Sequence, residues 1–93
     1  MKVLIDNTSF ENNLHNDTNG WYPSCINVNE ILDSLIVKNC EFNNNHSNWG
    51  VIKSFVHETE ILIENSKFTQ NTPQYVISTI SGLTVKNSIF YGH

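Results

Sequence analysis

The 93-residue sequence has no arginine, only two cysteines, two prolines and four glycines. The lack of arginine and a formal net charge of −4 argue against nucleic-acid binding, which needs a basic surface to neutralise phosphates. It also removes the side chain that grips carboxylate or phosphate groups with two parallel hydrogen bonds. Cys25 and Cys40 are too few for a disulfide-dense scaffold, and we expect them to be small buried residues.

Long apolar runs are also missing. A membrane helix needs about 20 consecutive apolar residues, and no run in this sequence approaches that length, so no membrane span is predicted. The apolar stretch near the start covers only residues 3–5, which does not indicate a signal peptide. The length predicts one small domain over residues 1–93.

What the sequence does have is a repeat, visible in VLIDNTSF, LIVKNCEF, ILIENSKF and LTVKNSIF. Each copy has apolar residues four and two positions before an asparagine, a small residue directly after it, and a phenylalanine three positions after it. The first three copies add an asparagine six positions after the first, namely Asn13, Asn45 and Asn71. The anchor asparagines are Asn7, Asn39, Asn65 and Asn87, and the phenylalanines are Phe10, Phe42, Phe68 and Phe90.

This repeat predicts an all-β chain that winds as a parallel solenoid. Apolar residues two positions apart predict strands with one inward face. Asparagine tolerates the left-handed backbone conformation, so it can turn one strand into the next. Stacking at about 4.8 Å would let the anchor asparagines form a ladder of amide hydrogen bonds, with the phenylalanines inside. Further strands are predicted within residues 25–28, 51–56 and 75–80.

The predicted coils cover residues 3–34, 35–60, 61–82 and a partial coil 83–93, with a longer loop or one helical turn at 29–34. Nothing polar or helical follows Phe90. An uncovered solenoid end exposes apolar side chains and strand edges, so we expect flanking coils of a longer parent or end-to-end self-association. The residues before the anchors alternate between acid and base and should point outward on adjacent coils: Asp6, Lys38, Glu64 and Lys86.

The alternative fold is an antiparallel sandwich of short strands joined by asparagine-rich hairpins. Such hairpins favour Asn-Gly or Asp-Gly turns, and the sequence has one such pair, Asn19-Gly20. We therefore favour the solenoid.

The segments LIVKNCEFNNN and ILIENSKFTQN resemble the repeats of right-handed parallel β-helix (pectin-lyase-like) proteins. They are most similar to polymorphic-outer-membrane-protein-type and adhesin-like surface repeats, whose pattern is an alternating strand followed by N-S-x-F-x-x-N. The resemblance covers nearly the whole chain. It implies a right-handed parallel β-helix of about three and a half coils and an extracellular or cell-surface location.

Catalytic residues are not predicted. β-Helix enzymes gather several acids and a basic residue on one outward face, and the aligned positions here show no such column. The histidines lack a second histidine or cysteine at metal-ligand spacing. We interpret His57, Glu58 and Glu60 as a solvated turn and predict neither a metal site nor a cofactor.

Four aromatic residues close to loop–strand junctions are the candidate binding residues: Trp21, Tyr22, Trp49 and Tyr75. Aromatic rings along one edge can hold sugar rings against their flat apolar faces. The alternative is that they pack the loops onto the body. A second candidate surface is the outward apolar column Leu4, Ile36 and Leu62.

Three glycosylation sequons begin at Asn7, Asn16 and Asn45. We expect Asn7 to face the ladder, and Asn16 and Asn45 to lie on loops where a eukaryotic secretory pathway could modify them.

Together these patterns favour a structural or adhesive β-solenoid module of a larger surface or secreted protein, which presents loops to glycan or protein ligands. The alternative is a fragment of a carbohydrate-active β-helix enzyme, of the polysaccharide lyase or glycoside hydrolase kind, with its catalytic residues outside this chain.

Overall fold

The computed structural model describes residues 1–13, 24–30, 33–46, 50–54, 56–71, 76–79 and 82–92. This part of the chain is all-β, with eleven short strands and no helix. The strands are β1 (Lys2–Asp6), β2 (Ser9–Glu11), β3 (Ile26–Val28), β4 (Ser34–Lys38), β5 (Glu41–Asn43), β6 (Ile52–Ser54), β7 (Glu60–Glu64), β8 (Lys67–Thr69), β9 (Ile77–Thr79), β10 (Gly82–Lys86) and β11 (Ile89–Tyr91).

These strands form three parallel sheets. The first has the order β1-β4-β7-β10, the second β2-β5-β8-β11 and the third β3-β6-β9. The chain visits the sheets in the same order each time, and we call each such visit a pass. All strand pairs among the described residues are parallel, which excludes the antiparallel sandwich for this part of the chain. None of the three described sheets closes on itself.

The four copies of the repeat lie in register. Ile5 pairs with Val37, Val37 with Ile63, and Ile63 with Val85. Because side chains alternate between the faces of a strand, this register keeps every apolar position of the repeat on the same face. Of the segment 29–34, predicted as a longer loop or one helical turn, residues 29, 30 and 33 are not helical and Ser34 begins β4, while residues 31–32 lie outside the described part of the chain.

The corners between the first and second sheets are made by the anchor asparagines. Asn7, Asn39, Asn65 and Asn87 have φ between 49° and 54°. A second set of left-handed residues, absent from our prediction, follows the second sheet: Asn12, Asn44, Gln70 and Gly92, with φ of 54° to 75°. The left-handed conformation excludes most residues on steric grounds, which explains why six of these eight residues are asparagine and one is glycine.

The core contains side chains from all three sheets, among them Val28, Leu35 and Phe42. Four phenyl rings form a continuous stack from Phe10 to Phe90, with ring centroids 4.6 Å apart at each step and planes within 3° of parallel. This spacing is close to the strand separation in a sheet, about 4.8 Å, so the stack follows directly from the register.

The amide ladder runs six residues after the anchors, not through the anchors. Asn13 Nδ2 donates to Asn45 Oδ1 at 2.9 Å, and Asn45 Nδ2 donates to Asn71 Oδ1 at 3.0 Å. The anchor asparagines are exposed, and the Nδ2 of Asn39 donates to the Asp6 carboxylate at 3.0 Å. The corner position turns the anchor side chain outward, whereas Asn45 and Asn71 follow the second corner and are buried.

Cys40 belongs to the column of small residues that follow the anchors, and this column is buried on the two middle passes. The backbone N–H of Cys40 donates to Ser66 Oγ, and that of Ser66 donates to Ser88 Oγ, each at 3.2 Å. The Cys40 thiol donates to the carbonyl of Lys38 at 3.2 Å. The expected burial holds fully for Cys40, whereas Cys25 is only half-buried; both are free thiols.

Candidate binding surfaces

The predicted aromatic shelf, Trp21, Tyr22, Trp49 and Tyr75, lies outside the described residues. By position in the sequence, however, all four belong to the same kind of connection. Trp21 and Tyr22 come between β2 and β3, Trp49 between β5 and β6, and Tyr75 between β8 and β9. Each of these segments joins the second sheet to the third on successive passes.

The outer face of the first sheet carries the second candidate surface. Leu4 pairs with Ile36, Ile36 with Leu62, and Leu62 with Thr84. Leu4 is 60% exposed, whereas Ile36 and Leu62 are half-buried. The column is therefore apolar on the first three passes and ends at the last pass, where Thr84 takes the place of an aliphatic residue.

The charged column beside this apolar column aligns as predicted. Asp6 pairs with Lys38, Lys38 with Glu64, and Glu64 with Lys86. Its energetic contribution is small, because such exposed charges are well solvated. An ion pair between two described residues lies elsewhere, where the Met1 ammonium is 2.8 Å from Asp33 Oδ2. The hydrogen bond from that ammonium, reinforced by its charge, lowers the pKa of Asp33.

An apolar cavity of about 340 Å³, open on one side, lies between the first and third sheets at the β1 end of the stack. Its apolar lining includes Val3, Ile5, Ile26 and Leu35, and one carboxyl residue, Glu30, contributes to its wall. This composition suits a small, mostly apolar group, since ligand pockets combine apolar walls with few polar groups. The repeat pattern did not reveal the cavity, although Val3 and Ile5 are inward-facing residues on a strand that has a neighbour on one side only.

The segment considered for metal binding is a turn between β6 and β7. His57 and Glu58 are exposed in this turn, Thr59 is buried, and Glu60 is the exposed first residue of β7. Among the described residues, no three histidine, cysteine, aspartate or glutamate side chains are grouped to hold a metal ion.

Two of the three sequon asparagines, Asn7 and Asn45, differ from our expectation. Asn45 is 1% exposed, and its amide bonds to Asn13, Asn71 and the Phe10 carbonyl, so it is not a loop acceptor. Asn7 is exposed rather than directed into a ladder. Asn16 lies outside the described residues.

The described part of the chain contains no helix suited to crossing a membrane. All-β parallel strands with asparagine side-chain hydrogen bonds fit a β-helix-like fold. Searches with protein-family models, among curated proteins and among solved structures gave no significant match to this chain.

Proposed function

We propose that the chain is a right-handed parallel β-helix module with a structural and adhesive role, which presents loops to a glycan or protein ligand. The observation that carries this proposal is the register. Equivalent residues on successive passes lie opposite one another in the first and second sheets, and the phenyl rings repeat at 4.6 Å. Such a scaffold places the strands on either side of equivalent connections above one another at a constant spacing.

The position of the aromatic residues supports a binding role for those loops. Trp21, Trp49 and Tyr75 fall in successive connections between the second and third sheets. Connections that leave the same corner on adjacent passes start about 4.8 Å apart, so their aromatic residues can form a continuous strip. A strip of flat apolar faces beside polar amides suits the alternating apolar and hydroxyl faces of a saccharide chain.

The proposal includes an extracellular or cell-surface location for the parent protein. That part rests on the resemblance of the repeats to surface proteins alone. The sequence of the flanking coding region tests it: an export signal or surface anchor would support the location, and a cytoplasmic enzyme domain in the same reading frame would contradict it.

A glycan array tests the binding role. We expect the wild-type chain to bind a subset of glycans, and Trp21→Ala and Trp49→Ala to lose most of that binding. Tyr91→Ala is the matched control, because Tyr91 is an aromatic residue that is 66% exposed on β11 and is not part of these connections in the sequence. Absence of glycan binding by every protein would reject the sugar strip, and equal losses in all three variants would reject its location.

A further inference from the structure

The two ends of the stacked sheets are chemically different, and among the described residues no further strand covers either of them. At one end, β1 and β2 each have a partner strand on one side only, and at the other end β10 and β11 do. Three inward-facing residues of the last pass are unusually exposed for a core position: Leu83 at 42%, Val85 at 40% and Phe90 at 41%. The equivalent side chains on the two middle passes are at most 1% exposed.

The backbone hydrogen bonds between passes follow one repeated pattern. The N–H of each anchor asparagine donates to the carbonyl of the next pass: Asn7 to Lys38, Asn39 to Glu64, and Asn65 to Lys86, all at 3.0 Å. In the opposite direction, the N–H groups of Glu41, Lys67 and Ile89 donate to the carbonyls of Thr8, Cys40 and Ser66.

If this pattern continued past the last pass, each end of the stack would offer one backbone donor and one backbone acceptor that match those of the other end. At the β10–β11 end, the next bonds would use the N–H of Asn87 and the carbonyl of Ser88. At the β1–β2 end, the equivalent groups are the carbonyl of Asp6 and the N–H of Ser9. In this register the Asn87 N–H of one copy would donate to the Asp6 carbonyl of the other. The Ser9 N–H of that second copy would donate to the Ser88 carbonyl of the first.

The side chains match in the same register. Thr8 Oγ1 donates to the Asp6 carbonyl at 3.0 Å, as Ser66 and Ser88 donate two residues back, so its oxygen can accept from the N–H of Ser88. Lys86 would lie opposite Asp6, which continues the alternation of charge along the outer face. Phe90 would lie over Phe10 and extend the stack of rings.

We propose that the β10–β11 end of one copy of this chain docks in register on the β1–β2 end of a second copy. The junction joins the first and second sheets, because the last described pass contributes strands to these two sheets only. Since the two surfaces differ, the contact is head-to-tail and leaves a free end on each side, so assembly produces linear oligomers and filaments. Docking in this register does not require ligand binding.

Proline substitutions on the free strand edges test the docking. In a parallel strand, successive residues direct their N–H groups to opposite neighbours. The Asn7 N–H faces β4, so the Leu4 N–H, three residues earlier, faces the free edge of β1. The Lys86 carbonyl faces β7, so the N–H of the neighbouring Val85 faces the free edge of β10. Leu4→Pro and Val85→Pro remove these donors while the paired edges keep theirs. Leu4→Ala and Val85→Ala are the matched controls, because they shorten the side chain but keep the N–H.

We expect the wild-type chain to form oligomers that grow with concentration in analytical ultracentrifugation and appear as thin filaments by electron microscopy. Each proline variant should be monomeric, with association at least about tenfold weaker than that of its alanine control. A mixture of the two proline variants should form a 1:1 dimer, because each retains the end that the other has lost. A monomeric wild type, unchanged association in the proline variants, or a mixture without dimers would overturn the proposal.

A charge reversal gives a second test if a proline variant does not fold, as judged by circular dichroism. Lys86→Glu would place two acids together at the junction, and we expect association to weaken by about tenfold at low salt, with recovery at high salt. Lys2→Glu is the control with the same change in net charge, because its position would face Gly82 of the second copy. Equal effects of the two reversals would contradict the proposed register.

Discussion

The side chain of Asn71 holds two groups of Asn45 on the preceding pass. Asn71 Oδ1 accepts from the backbone N–H of Asn45 at 2.9 Å and from its Nδ2 at 3.0 Å. Both asparagines are 1% exposed. The arrangement repeats one pass earlier, where Asn45 Oδ1 accepts from the N–H and Nδ2 of Asn13. A buried amide in this position is therefore a structural link between passes, not a chance polar residue in the core.

We expect Asn71→Ala to lower the free energy of unfolding by about 3 kcal/mol, measured by urea denaturation. The substitution leaves the backbone N–H and Nδ2 of Asn45 without their acceptor and the Phe42 carbonyl without the donor at 2.8 Å. Buried polar groups that lose their partners carry most of this cost. Asn44→Gly is the control, because Asn44 is exposed, donates to Asn12 at 2.9 Å and has a φ that glycine tolerates. Equal losses in the two variants would contradict the structural role of the buried ladder.

Removing a ring from the middle of the phenylalanine stack should be more costly than removing one from its end. Phe42 is fully buried between Phe10 and Phe68, and we expect Phe42→Ala to lower the free energy of unfolding by about 4 kcal/mol. Phe90 is 41% exposed and stacks on Phe68, so Phe90→Ala should cost less than half as much. Thermal and urea denaturation measure both, and a larger loss at Phe90 would refute the stacking order.

Gln70 occupies a corner position at which asparagine should be more stable than glutamine. It has φ 54° in the second corner set, where the preceding passes have Asn12 and Asn44. Because asparagine adopts this conformation more readily than glutamine, Gln70→Asn should raise the free energy of unfolding by about 0.5–1 kcal/mol. The reverse change on the neighbouring pass, Asn44→Gln, should lower it by a similar amount. If both variants changed stability in the same direction, the corner geometry would not be the cause.

The thiol of Cys25 should react slowly with a disulfide reagent such as Ellman's reagent. Partial burial raises its pKa, so at pH 8 a smaller fraction is thiolate than in an unfolded peptide. The reaction should accelerate as the pH rises above the ordinary cysteine pKa and become fast in urea. Since the folded state holds this proton more tightly than the unfolded state, alkaline pH should also lower stability slightly.

Cys25→Ser isolates Cys40 for the same measurement. We expect Cys40, which is 1% exposed, to react more slowly than Cys25 in the folded protein. A Cys25 thiol that reacts at the rate of the unfolded chain at pH 8 would contradict the effect of burial on its pKa.

The sequence by itself determined the strands, their parallel register and the anchor corners. These features follow from short-range rules: alternating apolar residues choose one face of a strand, and asparagine tolerates left-handed backbone. Once four copies are in phase, parallel pairing stacks Phe10, Phe42, Phe68 and Phe90 without further information.

Only the tertiary structure decided which asparagines form the buried ladder and where an open cavity lies between the sheets. Both Asn39 and Asn45 fit the repeat, but the orientation of a side chain at a corner depends on how two sheets meet, which sequence spacing does not encode. Asn45 faces inward and Asn39 outward as a result. The cavity beside Val3 and Ile5 likewise depends on how the first and third sheets pack at the first pass, because volume arises from distances between elements that lie far apart in the chain.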